Sequence, residues 1–199
     1  MEEKKAPYPR ITLCYVVRCL RTIAPDELVI SKGKELGELR EVKEEFRVSF
    51  DLNLKSIQPY PANILHFKSM GSRNGEGDKQ IPAVFTVAGK DMFKICSDNK
   101  NSLNRCFTSR WGYFLDRWIN VKIIQSKYGQ RYLIKLLFNG EELRSLENTS
   151  PRRLSLIKIY AGSPDYNPAA GSIRNLQIDG MIFWNAAFID ITQVYVGFL

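Results

Sequence analysis

The sequence predicts an all-β fold built as an antiparallel sandwich of two sheets. Three observations carry that prediction: apolar residues recur at every second position in many short runs, turn-forming residues separate those runs, and almost nothing repeats with the helical period. Only residues 34–45 have any helical character. Leu36, Leu39 and Val42 there suit a helix face, and they would equally line a strand and loop.

The clearest alternation follows at once. Phe46, Val48, Phe50, Leu52 and Leu54 are apolar, whereas Arg47, Ser49, Asp51, Asn53 and Lys55 between them are polar, the pattern of a strand with one buried face. Ile81, Ala83, Phe85 and Val87 are expected to share one face, as are Ile119, Val121 and Ile123, and then Tyr132, Ile134, Leu136 and Phe138. Shorter versions are Phe93 with Ile95, Ile157 with Ile159, and Leu176 with Ile178. Turn chemistry lies between them at 59–61, 70–77, 88–90, 127–129, 139–140 and 163–168. Asn139-Gly140 is the strongest of these, because both residues tolerate the positive φ that a two-residue type I′ hairpin needs.

Composition bounds the rest. With 199 residues, 44% of them apolar and 12% aromatic, the chain can bury a core and is not a disordered tail. Thirteen glycines and nine prolines are an ordinary share, which excludes collagen-like and low-complexity readings. One domain over 1–199 is the expectation. A net charge of +8 favours anionic partners. One His and four Cys leave little for metal or acid–base chemistry, which weighs against an enzyme. The charged opening residues lack the apolar centre of a cleavable secretory signal. Residues 181–199 are apolar but contain Asn185, Asp190, Thr192 and Gln193, so they are read as strand rather than membrane span.

Several segments together resemble one superfamily: Glu45-Phe-Arg-Val-Ser-Phe-Asp-Leu52, Asn63-Ile-Leu-His-Phe67, Gly77-Asp-Lys-Gln-Ile-Pro-Ala83, Phe93-Lys-Ile-Cys96, Arg117-Trp-Ile-Asn-Val-Lys-Ile123, Leu137-Phe-Asn-Gly140 and Gly171-Ser-Ile-Arg-Asn-Leu-Gln-Ile178. In order and spacing they look like the concanavalin A-like lectin/glucanase superfamily, and within it the laminin G-like modules. The likeness covers residues 28–178, with extensions at both ends. It implies a jelly-roll β-sandwich that binds its ligand through rim loops or through one sheet. Trp118 fits a core strand of such a sandwich and also a ligand platform.

The superfamily's glucanases need two carboxylates about 5 Å apart on one strand. Glu76-Gly-Asp78 is a single pair in a glycine-rich loop, and Glu141-Glu142 follows a turn, so catalysis is not expected. His66 is placed like the first residue of the galectin His-x-Asn-x-Arg motif. Lys68 stands at the Asn position and Met70 at the Arg position, however, and a plain sheet histidine is the commoner reading. Calcium at the rim, as in some laminin G-like modules, would draw on Asp78, Asp98 and Asp165, with Asp78 as the leading metal ligand.

Cys96 and Cys106 end one strand run and begin the next, so adjacent antiparallel strands would bring them together, and the related modules often carry such a pair. That disulfide would stabilise the fold by roughly 2–3 kcal/mol and indicates an oxidising compartment. Cys14 and Cys19 are about 16 Å apart in a straight strand, too far to bridge one another. They are read as free thiols or as partners of a segment elsewhere. Asn148-Thr-Ser150 is a glycosylation sequon in an expected loop.

These readings converge on a non-enzymatic, extracellular, lectin-like module that recognises a glycan or glycoprotein, sulfated or sialylated polysaccharide included. Its candidate ligand-binding residues are His66, Lys68, Arg73, Asp78, Lys79, Lys100, Arg105 and Arg131. The contact region is expected in the loops 68–80, 97–105 and 163–171. No cofactor beyond a candidate calcium, no nucleic acid and no membrane span are expected. A structural or protein-interaction ectodomain is the first rival, a glycan hydrolase the second and a cytoplasmic location the alternative.

Overall fold

The computed structural model describes residues 21–70, 80–99, 102–110, 112 and 114–183. Its strands are β1 (Arg21–Ala24), β2 (Leu28–Val29), β3 (Glu35–Leu54), β4 (Ala62–Ser69), β5 (Gln80–Val87), β6 (Lys90–Asn99), β7 (Ser102–Arg110), β8 (Ile119–Tyr128), β9 (Arg131–Phe138), β10 (Glu141–Asn148), β11 (Leu154–Tyr160) and β12 (Gly171–Phe183). The ladders between them are antiparallel, and no helix occurs among the described residues.

The long strand β3 belongs to both layers. Its first part, up to Val42, pairs with β11, and its second part, from Phe46, pairs with β8. One layer therefore runs β10-β9-β8-β3, with β12 on the far side of β3 and β1 and β2 beyond it; the other runs β3-β11-β4-β5-β6-β7. The layers meet face to face. The Phe93 ring on β6 sits edge-on to Phe138 on β9, with centroids 5.1 Å apart, which is a favoured aromatic geometry.

The predicted alternation is the core. Phe46, Val48, Phe50, Leu52 and Leu54 are buried from one layer, with Ile119, Val121, Ile123, Ile134, Leu136 and Phe138. Leu65, Phe67, Val84, Phe93, Ile95, Ile157 and Ile159 meet them from the other. The Asn139-Gly140 turn joins β9 to β10 with φ of 47° and 88°, the mirror-image turn that Asn and Gly permit.

Of the two readings open for residues 34–45, strand is the one found: β3 begins at Glu35, and Leu39 and Val42 both face the core where the β12–β3 ladder shifts register, which is why their three-residue spacing suits a helix on paper. One expectation changes. Ile81 and Ala83 do not share a face. The β4–β5 register shifts between His66 and Lys68, opposite Ile81-Pro82, so Ile81 enters the main core while Ala83 and Phe85 turn to the outer face with Cys96. β12 carries strand structure to Phe183; residues 184–199, Cys14 and Cys19 lie outside the described residues.

Candidate functional site

The outer face of the β11-β4-β5-β6-β7 layer gathers what the sequence spreads over a hundred positions. Register places Tyr160 opposite His66, His66 opposite Ala83, Ala83 opposite Cys96, and Cys96 opposite Cys106, so one row crosses five strands. The last two are joined, with Cα atoms 4.0 Å apart. The pairing inferred from strand order is the pairing found.

A loop, residues 161–170, folds over this row, and Asn63 holds it there. Asn63 is buried on β4. Its Oδ1 accepts from Ser163 N at 2.8 Å, its backbone N donates to Asn167 O at 2.7 Å, its carbonyl accepts from Ala169 N at 2.9 Å, and its Nδ2 donates to Val84 O at 3.2 Å. A buried amide with its bonds satisfied fixes a loop firmly, because breaking any one leaves a polar group stranded.

The loop presents Tyr166 and Asp165. Tyr166 lies over Phe85 at 5.0 Å, edge to face, and beside His66 at 5.9 Å. It is 36% exposed, while His66 beneath it is fully buried. Asp165 Oδ2 accepts from Lys68 Nζ at 2.6 Å, and its backbone N donates to Ser163 Oγ at 3.2 Å. The hydrogen bond from Lys68 holds the Asp165 carboxyl below the ordinary carboxylate range, against the opposing effect of burial. Alongside, Lys158 bonds Glu35 and Glu38, which raises its own pKa. Lys94, across from Phe85 on β6, is exposed, and no ion pair involves it among the described residues.

The sequence-derived residues divide as follows. His66 and Lys68 come together with Asp165, but His66 supports Tyr166 from below and cannot itself be a surface contact, since the ring packed over it shuts out solvent. Arg131 lies in the other layer, at the β8–β9 hairpin, 3.7 Å from Glu147. It is not part of this face. Arg105 stands opposite Ser97 in β7, its side chain outside the description, as is that of Asp98; Arg73, Asp78, Lys79 and Lys100 lie outside the described residues. No group of three or more His, Cys, Asp or Glu that could hold a metal occurs among the described residues. Asn148 of the sequon is the last residue of β10, not a loop residue. Asn148 is 3% exposed, and its Nδ2, the atom that would carry a glycan, donates to Gln125 Oε1 at 2.9 Å.

Sequence reading missed Tyr166 and Asn63 as site residues. A polar residue inside the apolar run Ala62-Asn-Ile-Leu65 was the available sign of an anchor; nothing local marks Tyr166.

On the opposite layer Asp51 collects Asn120 Nδ2 at 3.0 Å, Asn175 Nδ2 at 2.8 Å and Arg174 Nε at 3.4 Å, and the Arg174 guanidinium lies 4.2 Å above the half-buried Trp118 ring. Trp118 thus serves as a platform for a neighbour in its own chain. Burial raises the Asp51 pKa, but the three donors outweigh it and the net shift is downward. A depressed folded pKa adds stability above the unfolded value, about 3.9, that is lost as the pH falls through the folded value. Urea melts between about pH 2 and 5 should therefore show Asp51→Asn with a shallower acid loss of stability than the parent.

No protein-family model matches the chain, and no curated protein matches it. Solved structures do. The heptameric SAP-like pentraxin from Limulus polyphemus aligns with a TM-score of 0.54 at 13% identity, over 77% of this chain and 75% of that one. The chain has a jelly-roll β-sandwich fold. The Ruminococcus gnavus IT-sialidase CBM40 bound to α2,3 sialyllactose aligns at 0.50 and 12%, over 78% of this chain and 91% of that one. The receptor-binding domain of botulinum neurotoxin type G gives 0.53 and 10%, over 84% of this chain, which spans 44% of that domain's length. At such identities the likeness speaks for the fold alone.

Proposed function

We propose that this chain is a non-enzymatic, lectin-like binding module of the extracellular space, related to the concanavalin A-like and laminin G-like sandwiches, which recognises a glycan on the outer face of the β4-β5-β6 layer. The single observation behind this reading is the exposed Tyr166, seated on Phe85 and His66 and flanked by the Lys68–Asp165 pair. An immobilised aromatic ring offers a sugar's C–H face a surface at little entropic cost, and the fixed ions beside it offer a donor and an acceptor to hydroxyls. Lys94, exposed and in no ion pair among the described residues, adds a positive charge, which favours sulfated or sialylated ligands. The disulfide supports an oxidising compartment.

The carboxylates described beside this face argue against hydrolysis there. Asp165, Glu35 and Glu38 are each engaged by a lysine ammonium, and Asp165 is held acidic, whereas a glycosidase acid must keep its proton near neutrality.

A glycan array read with the parent and with Tyr166→Ala tests the proposal. The parent should bind a defined subset of glycans, and Tyr166→Ala should lose at least about tenfold in affinity. A parent that binds no glycan, with a protein recovered instead, would favour the protein-interaction ectodomain.

A further inference from the structure

Where β3 crosses between layers, its partner does not follow evenly. Asp179 of β12 stands opposite Arg47, and Met181 opposite Val42, so residues 43–46 face Gly180 alone. The chain bows out there, and an open cleft of about 350 Å³ results, lined among others by Lys43, Phe46, Arg47, Tyr132 and Asp179. That volume sits at the small end of the range for small-molecule sites.

The walls are fixed. Gln125 Nε2 donates to Glu44 O at 2.7 Å, Lys127 N donates to Glu45 Oε2 at 3.1 Å, and Arg153 lies within 3.6 Å of Glu41 and 3.5 Å of Glu44. What is left over is specific. Among the described residues no ion pair involves Lys43 or Arg47, and Asp179 Oδ1 is shielded from solvent yet accepts no hydrogen bond. Lys43, Arg47, the Glu45 carboxylate and a half-buried aromatic ring therefore face one small space.

We propose that this corner cleft binds a small hydroxylated carboxylate, the chemistry of a uronic or sialic acid unit. Its carboxylate meets Arg47 and Lys43, and one face of the ring lies on Tyr132. The site is separate from the Tyr166 face and does not depend on it.

Calorimetric titration of the whole chain with glucuronic acid, N-acetylneuraminic acid and 3′-sialyllactose tests this, with methyl galactoside as the uncharged comparison. At least one acid should bind and the galactoside should not. Arg47→Glu, at an exposed position that leaves folding intact, should weaken binding about tenfold or more. Binding of the free acids assigns the cleft to a monosaccharide, and binding of 3′-sialyllactose alone assigns it to a glycan terminus; both sustain the proposal. No binding by any acid would overturn it. So would binding that is lost with Tyr166→Ala but kept with Arg47→Glu, because the acid would then occupy the sheet face.

Discussion

Phe93→Ala should lower the free energy of unfolding by about 3–5 kcal/mol, the largest single effect expected in this molecule. Phe93 is fully buried on β6, and its ring is the direct contact with Phe138 on β9, so truncation removes apolar area and opens a void between the two layers. The hydrogen-bonded ladders around it are rigid and cannot collapse into the space, which places the cost high in the usual range. Urea denaturation followed by tryptophan fluorescence checks this. Tyr128→Ala, at a tip position 76% exposed, should stay within about 0.5 kcal/mol of the parent. If Phe93→Ala cost no more than that, the layers would not be packed through this pair.

Gly162→Ala should damage stability and ligand binding together. Gly162 has φ of +87°, and a Cβ there would lie 2.5 Å from the Ser31 carbonyl oxygen and 2.9 Å from its carbon. The left-handed conformation alone costs a residue with a side chain about 1–3 kcal/mol, and backbone cannot retreat from the added atom cheaply. Gly162 N also donates to Ile64 O, and its carbonyl accepts from Gly33 N at 2.8 Å, so a shift breaks ties on both sides. The loop that begins here carries Asp165 and Tyr166, and moving it unseats the proposed platform. Gly89→Ala makes the comparison clean. Its φ is +60° with nothing within 4 Å of the added carbon, so it pays the conformational cost without the collision. Thermal melts of both variants, with glycan binding of each, should separate the two contributions; equal losses would mean that contact at Ser31 is unimportant.

The pleat of a strand is a local property, and it is legible wherever side chains alternate. That is why Phe46 to Leu54, Ile119 to Ile123 and Ile134 to Phe138 were identifiable as core faces, why Asn139-Gly140 marked its hairpin, and why Cys96 and Cys106 could be matched across neighbouring strands. Alternation stops being informative at an irregularity. The shift opposite Ile81-Pro82 and the crossing at residues 43–45 each depend on what the partner strand does.

The layered, all-β character of this chain, its hairpin chemistry and its disulfide are written in the order of its residues, because each follows from neighbours within one or two strands. Which side chains share a surface is set by the folded arrangement of the strands and loops. Lys68 and Asp165 are 97 positions apart, and Asn63 and Ser163 are 100 apart, yet both pairs are in hydrogen-bond contact. His66 is buried beneath Tyr166, and Asn148 points inward, for the same reason: a side chain's exposure is set by what distant segments pack over it, a quantity no local pattern carries.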